Sequence, residues 1–149
     1  MIRLACYILL GFGLISSCKK DEEKGFPAAP PVIGVLSLSS DTITEFQDSL
    51  IIEISYEDKN GDLGSADPDV KDLEIKDDRL PFPDFYHVIP LAPEGTSLFI
   101  NGVLRVVLPP QFRLGNAPFE QTAFTIRLRD RNGTWSEAVR TDPVFIVEQ

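Results

Sequence analysis

Phe124-Thr125-Ile126-Arg127-Leu128-Arg129-Asp130-Arg131-Asn132-Gly133 decides the fold class. Phe124, Ile126 and Leu128 fall on one face of an extended chain, and Thr125, Arg127 and Arg129 on the other. A period of two is the mark of a strand with one buried face. Asp130 to Gly133 then makes a hairpin turn, with Asn132 and Gly133 suited to positive φ.

The same alternation recurs outward from this stretch. Ser49–Tyr56 puts Leu50, Ile52, Ile54 and Tyr56 on one face and Glu53 and Ser55 on the other. Val70–Lys76 sets Leu73 and Ile75 inward, and Val32–Leu38, Thr42–Phe46, Ser97–Leu108, Thr134–Val139 and Val144–Val147 read as further β runs. Asn101-Gly102 within one of them suggests a bulge or a tight turn. Pro81, Pro83, Pro90 and Pro93 make 78–94 a long connection with a short edge strand near Tyr86 to Ile89, because each proline removes a ladder donor. The aromatics Phe82, Phe85 and Tyr86 are expected to form a satellite core beneath it, and Trp135 to cover one end of the main core, unless it is exposed and grips a sugar ring. No segment carries capped helical periodicity. The chain is therefore expected to be all-β, an antiparallel two-sheet sandwich of about seven strands, with a small β-barrel as the alternative.

The chain has 149 residues, enough for one domain. Arg3 is the only charge before Ser17, and the part after it carries 13 basic and 23 acidic residues, a net charge of −10. Such a surface argues against unaided nucleic-acid binding, which draws on cationic side chains.

The amino terminus reads as an address. Met1 to Arg3 is a short positive region, and Leu4 to Ile15 is apolar and uncharged, too short for the roughly 20 residues that span a bilayer. Ile15-Ser16-Ser17-Cys18 resembles a bacterial lipobox. That resemblance implies a signal peptide over residues 1–17, cleavage before Cys18, and acyl chains such as palmitate on Cys18. Two or more chains hold a protein stably on a bilayer, each buried methylene contributing about 0.8 kcal/mol. Cleavage would also remove Cys6 and leave Cys18 without a disulfide partner. Lys19-Lys20-Asp21-Glu22-Glu23 resembles the export signal of Bacteroidota surface lipoproteins, which implies an outer-membrane lipoprotein facing outward. Residues 18–31 read as an acidic, Pro-rich tether, and residues 32–149 as the folded domain.

Ile126 to Gly133, followed by Ser136, resembles the closing hairpin of bacterial immunoglobulin-like and cadherin-like domains. With Asp58-Lys59-Asn60-Gly61-Asp62-Leu63-Gly64, the chain resembles small Bacteroidota lipoproteins with an immunoglobulin-like sandwich. No activity comes with that resemblance.

One loop carries candidate chemistry. Asp58, Asn60 and Asp62 alternate, and Asp67 and Asp69 follow, with Glu57 before them. Six to eight such oxygens make a calcium shell, so calcium is the one cofactor in view. The first half resembles an EF-hand loop, but Leu63 stands where that loop has glycine, Asp69 replaces its glutamate, and the flanks are strands. A site at the end of a β-sandwich fits better. The competing reading is a solvated turn whose Asp and Asn side chains bond their own backbone. His87, the single histidine, is expected to pack or hydrogen-bond rather than act as a base. No zinc cluster or phosphate-binding glycine loop is present. The expected function is therefore non-catalytic. It is an envelope-anchored binding or accessory module for a protein or glycan partner, or a calcium-stabilised adhesion module. A carboxylate-based hydrolase is the remaining alternative.

Overall fold

The computed structural model describes residues 29–149. The leader, Cys18 and most of the tether lie outside the described residues. Ten strands form in chain order: β1 (Val32–Leu38), β2 (Thr42–Thr44), β3 (Leu50–Asp58), β4 (Leu73–Asp77), β5 (Asp84–Tyr86), β6 (Ile100–Leu108), β7 (Phe119–Thr122), β8 (Phe124–Leu128), β9 (Val139–Arg140) and β10 (Val144–Val147). Among the described residues there is no helix. The all-β expectation is met.

The sheet arrangement is finer than the sequence suggested. Three sheets form, in the orders β1-β3-β6, β2-β10-β7 and β5-β4-β8-β9. One pair is parallel, β10 with β2, where an all-antiparallel fold was expected. The extended chain that leads into the Phe124–Leu128 strand is split at Ala123. β7 pairs with β10 in one sheet, while β8 pairs with β4 and β9 in another. The chain crosses between sheets there because Thr122 bonds the carboxylate of buried Asp77 and Phe124 N–H donates to Thr141 Oγ1 at 3.0 Å. Thr134–Val139 forms no strand. Only an isolated bridge, Arg129 to Trp135, and the two-residue β9 remain of it.

The alternating faces are where the period of two put them. Leu50, Ile52, Ile54, Leu73, Ile75, Phe124, Ile126 and Leu128 all join the buried core, along with Ile43, Leu108, Val144 and Ile146. This core draws on strands of all three sheets, so a β-sandwich fits. β6 runs unbroken through Asn101 and Gly102, opposite Glu57 and Tyr56. Gly102 marks no bulge; a Cβ there would meet the Tyr56 ring hydroxyl at 2.6 Å, so its missing side chain makes room for that ring.

The aromatics of 78–94 also depart from expectation. Phe82 and Phe85 are exposed and only Tyr86 packs against the core. β5 is a short edge strand on β4, but it spans Asp84–Tyr86 rather than Tyr86 to Ile89, and residues 87–89 form no strand. Trp135 is half-buried, and Arg127 and Arg129 lie over its ring at 4.8 and 5.2 Å.

Candidate functional site

The ends of the β1-β3-β6 sheet differ. Val32 pairs with Glu57, and Asp58 with Ile100, so the chain enters the fold at the end where β3 delivers the Asp58 loop. A cavity of about 330 Å³ there touches Pro30, Pro31, Lys59 and Glu137. The far end, at Leu38, Leu50 and Leu108, lies about 26 Å away along β3.

At the entry end the Asp58 loop is stitched to the β8–β9 hairpin. Leu63, fully buried, bridges Asp130, and Arg131 N–H donates to Asp62 C=O at 2.9 Å. Arg131 Nε donates to Gly64 C=O at 2.7 Å and its Nη2 to Ala92 C=O at 3.2 Å. Gly61 and Gly64 take φ of 70° and 75°. At Gly64 the need for glycine is absolute, since a Cβ would meet Ile89 C=O oxygen at 2.1 Å.

Three carboxylates of this junction are half satisfied. Asp58 Oδ2 accepts the Asp62 N–H at 2.9 Å, Asp130 Oδ1 accepts the Thr134 N–H at 2.7 Å, and Asp62 Oδ2 accepts from the Asn132 amide. The other oxygen of each, Asp58 Oδ1, Asp62 Oδ1 and Asp130 Oδ2, is buried without a donor, and so is Asn60 Oδ1. Asp58 and Asp130 are 1% exposed and Asn60 9%. Burial, then the charges of Asp130 and Asp58, push the Asp62 carboxyl up to about 6.

The structure thus brings together Asp58, Asn60 and Asp62, as the spacing suggested, and adds Asp130, which sequence reading took only as a hairpin residue. Asp130 stands just before Asn132-Gly133, where an aspartate can accept from the turn's own backbone. Its place beside Asp62 follows only from the Leu63–Asp130 bridge. Asp67 and Asp69 are not brought there. Both are exposed, and Asp67 Oδ1 accepts the Asp69 N–H at 2.9 Å, an Asx turn. Glu57 is exposed on the sheet's outer face. Among the described residues no three His, Cys, Asp or Glu side chains by themselves make a metal centre. His87 Nδ1 lies 3.0 Å from Val70 C=O, a hydrogen bond that holds the connection against β4's approach.

The far end presents a different feature, invisible in the sequence. Phe46 holds φ at 59°, the one non-glycine residue with positive φ among those described. It is 65% exposed and its ring stacks on Phe112, 47% exposed, with centroids 5.9 Å apart and planes 3° apart. Phe46 N–H donates to Gln111 C=O at 2.9 Å, and Glu45 beside it bonds Arg113 Nη2 at 2.7 Å. The Arg113 guanidinium holds the Glu45 carboxyl below its ordinary value.

No protein-family model matches the chain, and no curated protein matches it. Among solved structures it resembles a mutant of the SrpA adhesin from Streptococcus sanguinis, at 19% identity and a TM-score of 0.44, over 80% of this chain and 57% of the adhesin's. The chain therefore spans little more than half of that protein, and so loose an overlap carries no argument about function.

Proposed function

We propose that this chain is a non-catalytic binding module of the cell envelope, held on the outer membrane through lipidated Cys18 and facing outward. We read its three sheets as an immunoglobulin-like sandwich. The Phe46–Phe112 pair supports the binding reading most directly. A bulky residue in the left-handed region costs about 1–2 kcal/mol, and the pair lies mostly in water. Core packing gives no return for that cost, whereas a partner's apolar surface would. The geometry of the anchored chain agrees. The tether meets the fold at Val32, so the Phe46 tip is the end farthest from the membrane, about 26 Å beyond the entry point.

Crosslinking on intact cells tests this. Wild type is expected to give a discrete adduct with an envelope protein, lost in Phe46→Asn and Phe112→Ser. Asparagine accepts positive φ, so the first variant keeps the fold. A glycan-array signal lost in the same variants, with no protein adduct, would name a glycan as the partner. Neither signal would refute the binding role. The anchor is checked separately. Metabolic acyl labelling should disappear in Cys18→Ala, and external protease should remove the domain from whole cells.

A further inference from the structure

We propose that Asp58, Asn60, Asp62 and Asp130 form a calcium site that locks the end of β3 to the β8–β9 hairpin. The site stands whatever the far tip binds. Its basis is four buried oxygens without a donor, one from each side chain. Leaving a buried acceptor unmatched costs about 1–3 kcal/mol, and more when it is charged. Native interiors keep few such atoms, and here four belong to one junction.

The nearest cations do not answer them. Arg131 spends its guanidinium on the carbonyls of Gly64, Gly61 and Ala92, and Lys59 is exposed. Asp72, the other acidic residue nearby with an unmatched oxygen, is already paired with Arg129. The bonds that each carboxylate does make fix its rotamer and leave the second oxygen free. Asp62 N–H, Thr134 N–H and the Asn132 amide serve here as positioning groups.

The donor chemistry selects the ion. Carboxylate and amide oxygens suit hard cations, and sulfur and imidazole donors, which zinc prefers, are missing from the set. Asn60 Oδ1, buried and without a donor, is the fourth ligand, and water or backbone carbonyls would complete the shell. Calcium accepts such a mixed and irregular shell, whereas magnesium demands near-octahedral geometry and keeps its water. A cavity of about 450 Å³ lined by Ser65, Asp130, Arg131 and Asn132 gives the ion a way in. Three carboxylates and one amide oxygen set the dissociation constant near that of extracellular modules, about 10⁻⁴ to 10⁻³ M.

The test uses the full-length protein in detergent, stripped with EGTA and titrated with calcium chloride, read by calorimetry and by melting. Saturable heat is expected, and at ten times the dissociation constant the melting temperature should rise by about 4–8 °C. Asp130→Asn, which retains the acceptor for Thr134, should weaken binding at least tenfold, and Asp67→Asn and Asp69→Asn should bind like wild type. Asn60→Asp separates an ion site from a purely structural cluster. It should lower the melting temperature in EGTA, by adding a like charge, and enlarge the stabilisation by calcium. No heat and no shift at 5 mM calcium would overturn the proposal. So would equal binding of magnesium, a wild-type response from Asp130→Asn, or loss of binding in Asp69→Asn.

Discussion

Gly64→Ala puts the junction between the Asp58 loop and the 88–92 connection to a quantitative test. Two penalties apply. At φ 75° a side chain costs about 1–2 kcal/mol. The new Cβ would also sit 2.1 Å from the oxygen and 2.6 Å from the carbon of the Ile89 carbonyl, and 2.9 Å from Val88 C=O. These are backbone atoms, so no rotamer change relieves the clash, and the connection has to move as a unit. Moving it strains Ser65 N–H to Val88 C=O at 2.9 Å and Leu91 N–H to Leu63 C=O at 3.1 Å. Overpacking of this kind costs about 1–3 kcal/mol, giving a total of about 2–5 kcal/mol. Gly133→Ala is the matched control, with φ 88° and nothing within 4 Å of its Cβ, so only the backbone penalty of about 1–2 kcal/mol applies. Urea unfolding in EGTA, followed by Trp135 fluorescence, measures both. Near this chain length each kcal/mol shifts the melting temperature by about 3–6 °C, so Gly64→Ala should melt at least about 6 °C below wild type. A Gly64→Ala penalty within about 1 kcal/mol of Gly133→Ala would refute the close-approach argument.

Other predictions follow from the core and the ion pairs. Ile126→Ala, at a fully buried position between β4 and β9, should cost about 2–5 kcal/mol in urea unfolding; a loss under 1 kcal/mol would contradict the packing described. Arg129→Ala strips both donors from the buried Asp72 carboxylate, at 3.2 and 3.1 Å, and should cost about 1–3 kcal/mol, with Arg129→Lys recovering only part. At the sheet crossing, burial pulls the Asp77 carboxyl up, but the donors of Arg79 and Thr122 outweigh it and hold it below its ordinary value. Glu120 is lowered as well, first by the Leu114 N–H. A folded-state value below the unfolded one gives stability that is complete above the ordinary carboxylate range and lost as pH falls through the folded value. Melting should therefore be insensitive to these groups from pH 7 to about 5 and fall below about pH 4, less steeply in Asp77→Asn. Normalised wild-type and Asp77→Asn profiles that superpose would rule out that contribution.

The strands that the sequence disclosed are those whose burial is one-sided. Leu50, Ile52 and Ile54, then Leu73 and Ile75, then Phe124, Ile126 and Leu128 fall at every second position, polar residues intervening everywhere but at Ile51, and all eight are buried. The period of two works there because one face meets the core and the other meets water. It fails where neighbours in sequence serve different sheets. Nothing in Gln121-Thr122-Ala123-Phe124 announces that β7 and β8 part company, since the crossing is set by Asp77 and Thr141, contributed from other segments. Thr134–Val139 reads as a β run, yet Ser136 N–H donates to Leu128 C=O and the Ser136 hydroxyl oxygen accepts the Leu128 N–H, which stops a regular ladder. Trp135 is large and apolar, yet it stays half-buried, with Arg127 and Arg129 of its own hairpin lying over its ring.

The candidate site divides in the same way. Asp58, Asn60 and Asp62 are legible because local spacing alone points alternate side chains to one centre. Asp67 and Asp69 satisfy the spacing equally well, but Asp67 Oδ1 accepts the Asp69 N–H in a local turn and both residues stay in water. Asp130 is remote in sequence from Asp62, and no local rule joins them. By itself the sequence determined the all-β class, the inward faces and the loop that bears oxygen donors, because each depends on residues within a few positions of one another. Only the tertiary structure decided which sheet each strand entered, that Asp130 faces the Asp58 loop, and that Phe46 is held strained at the opposite end. Those depend on contacts between distant segments, whose free energy is set by packing and mutual desolvation rather than by local pattern.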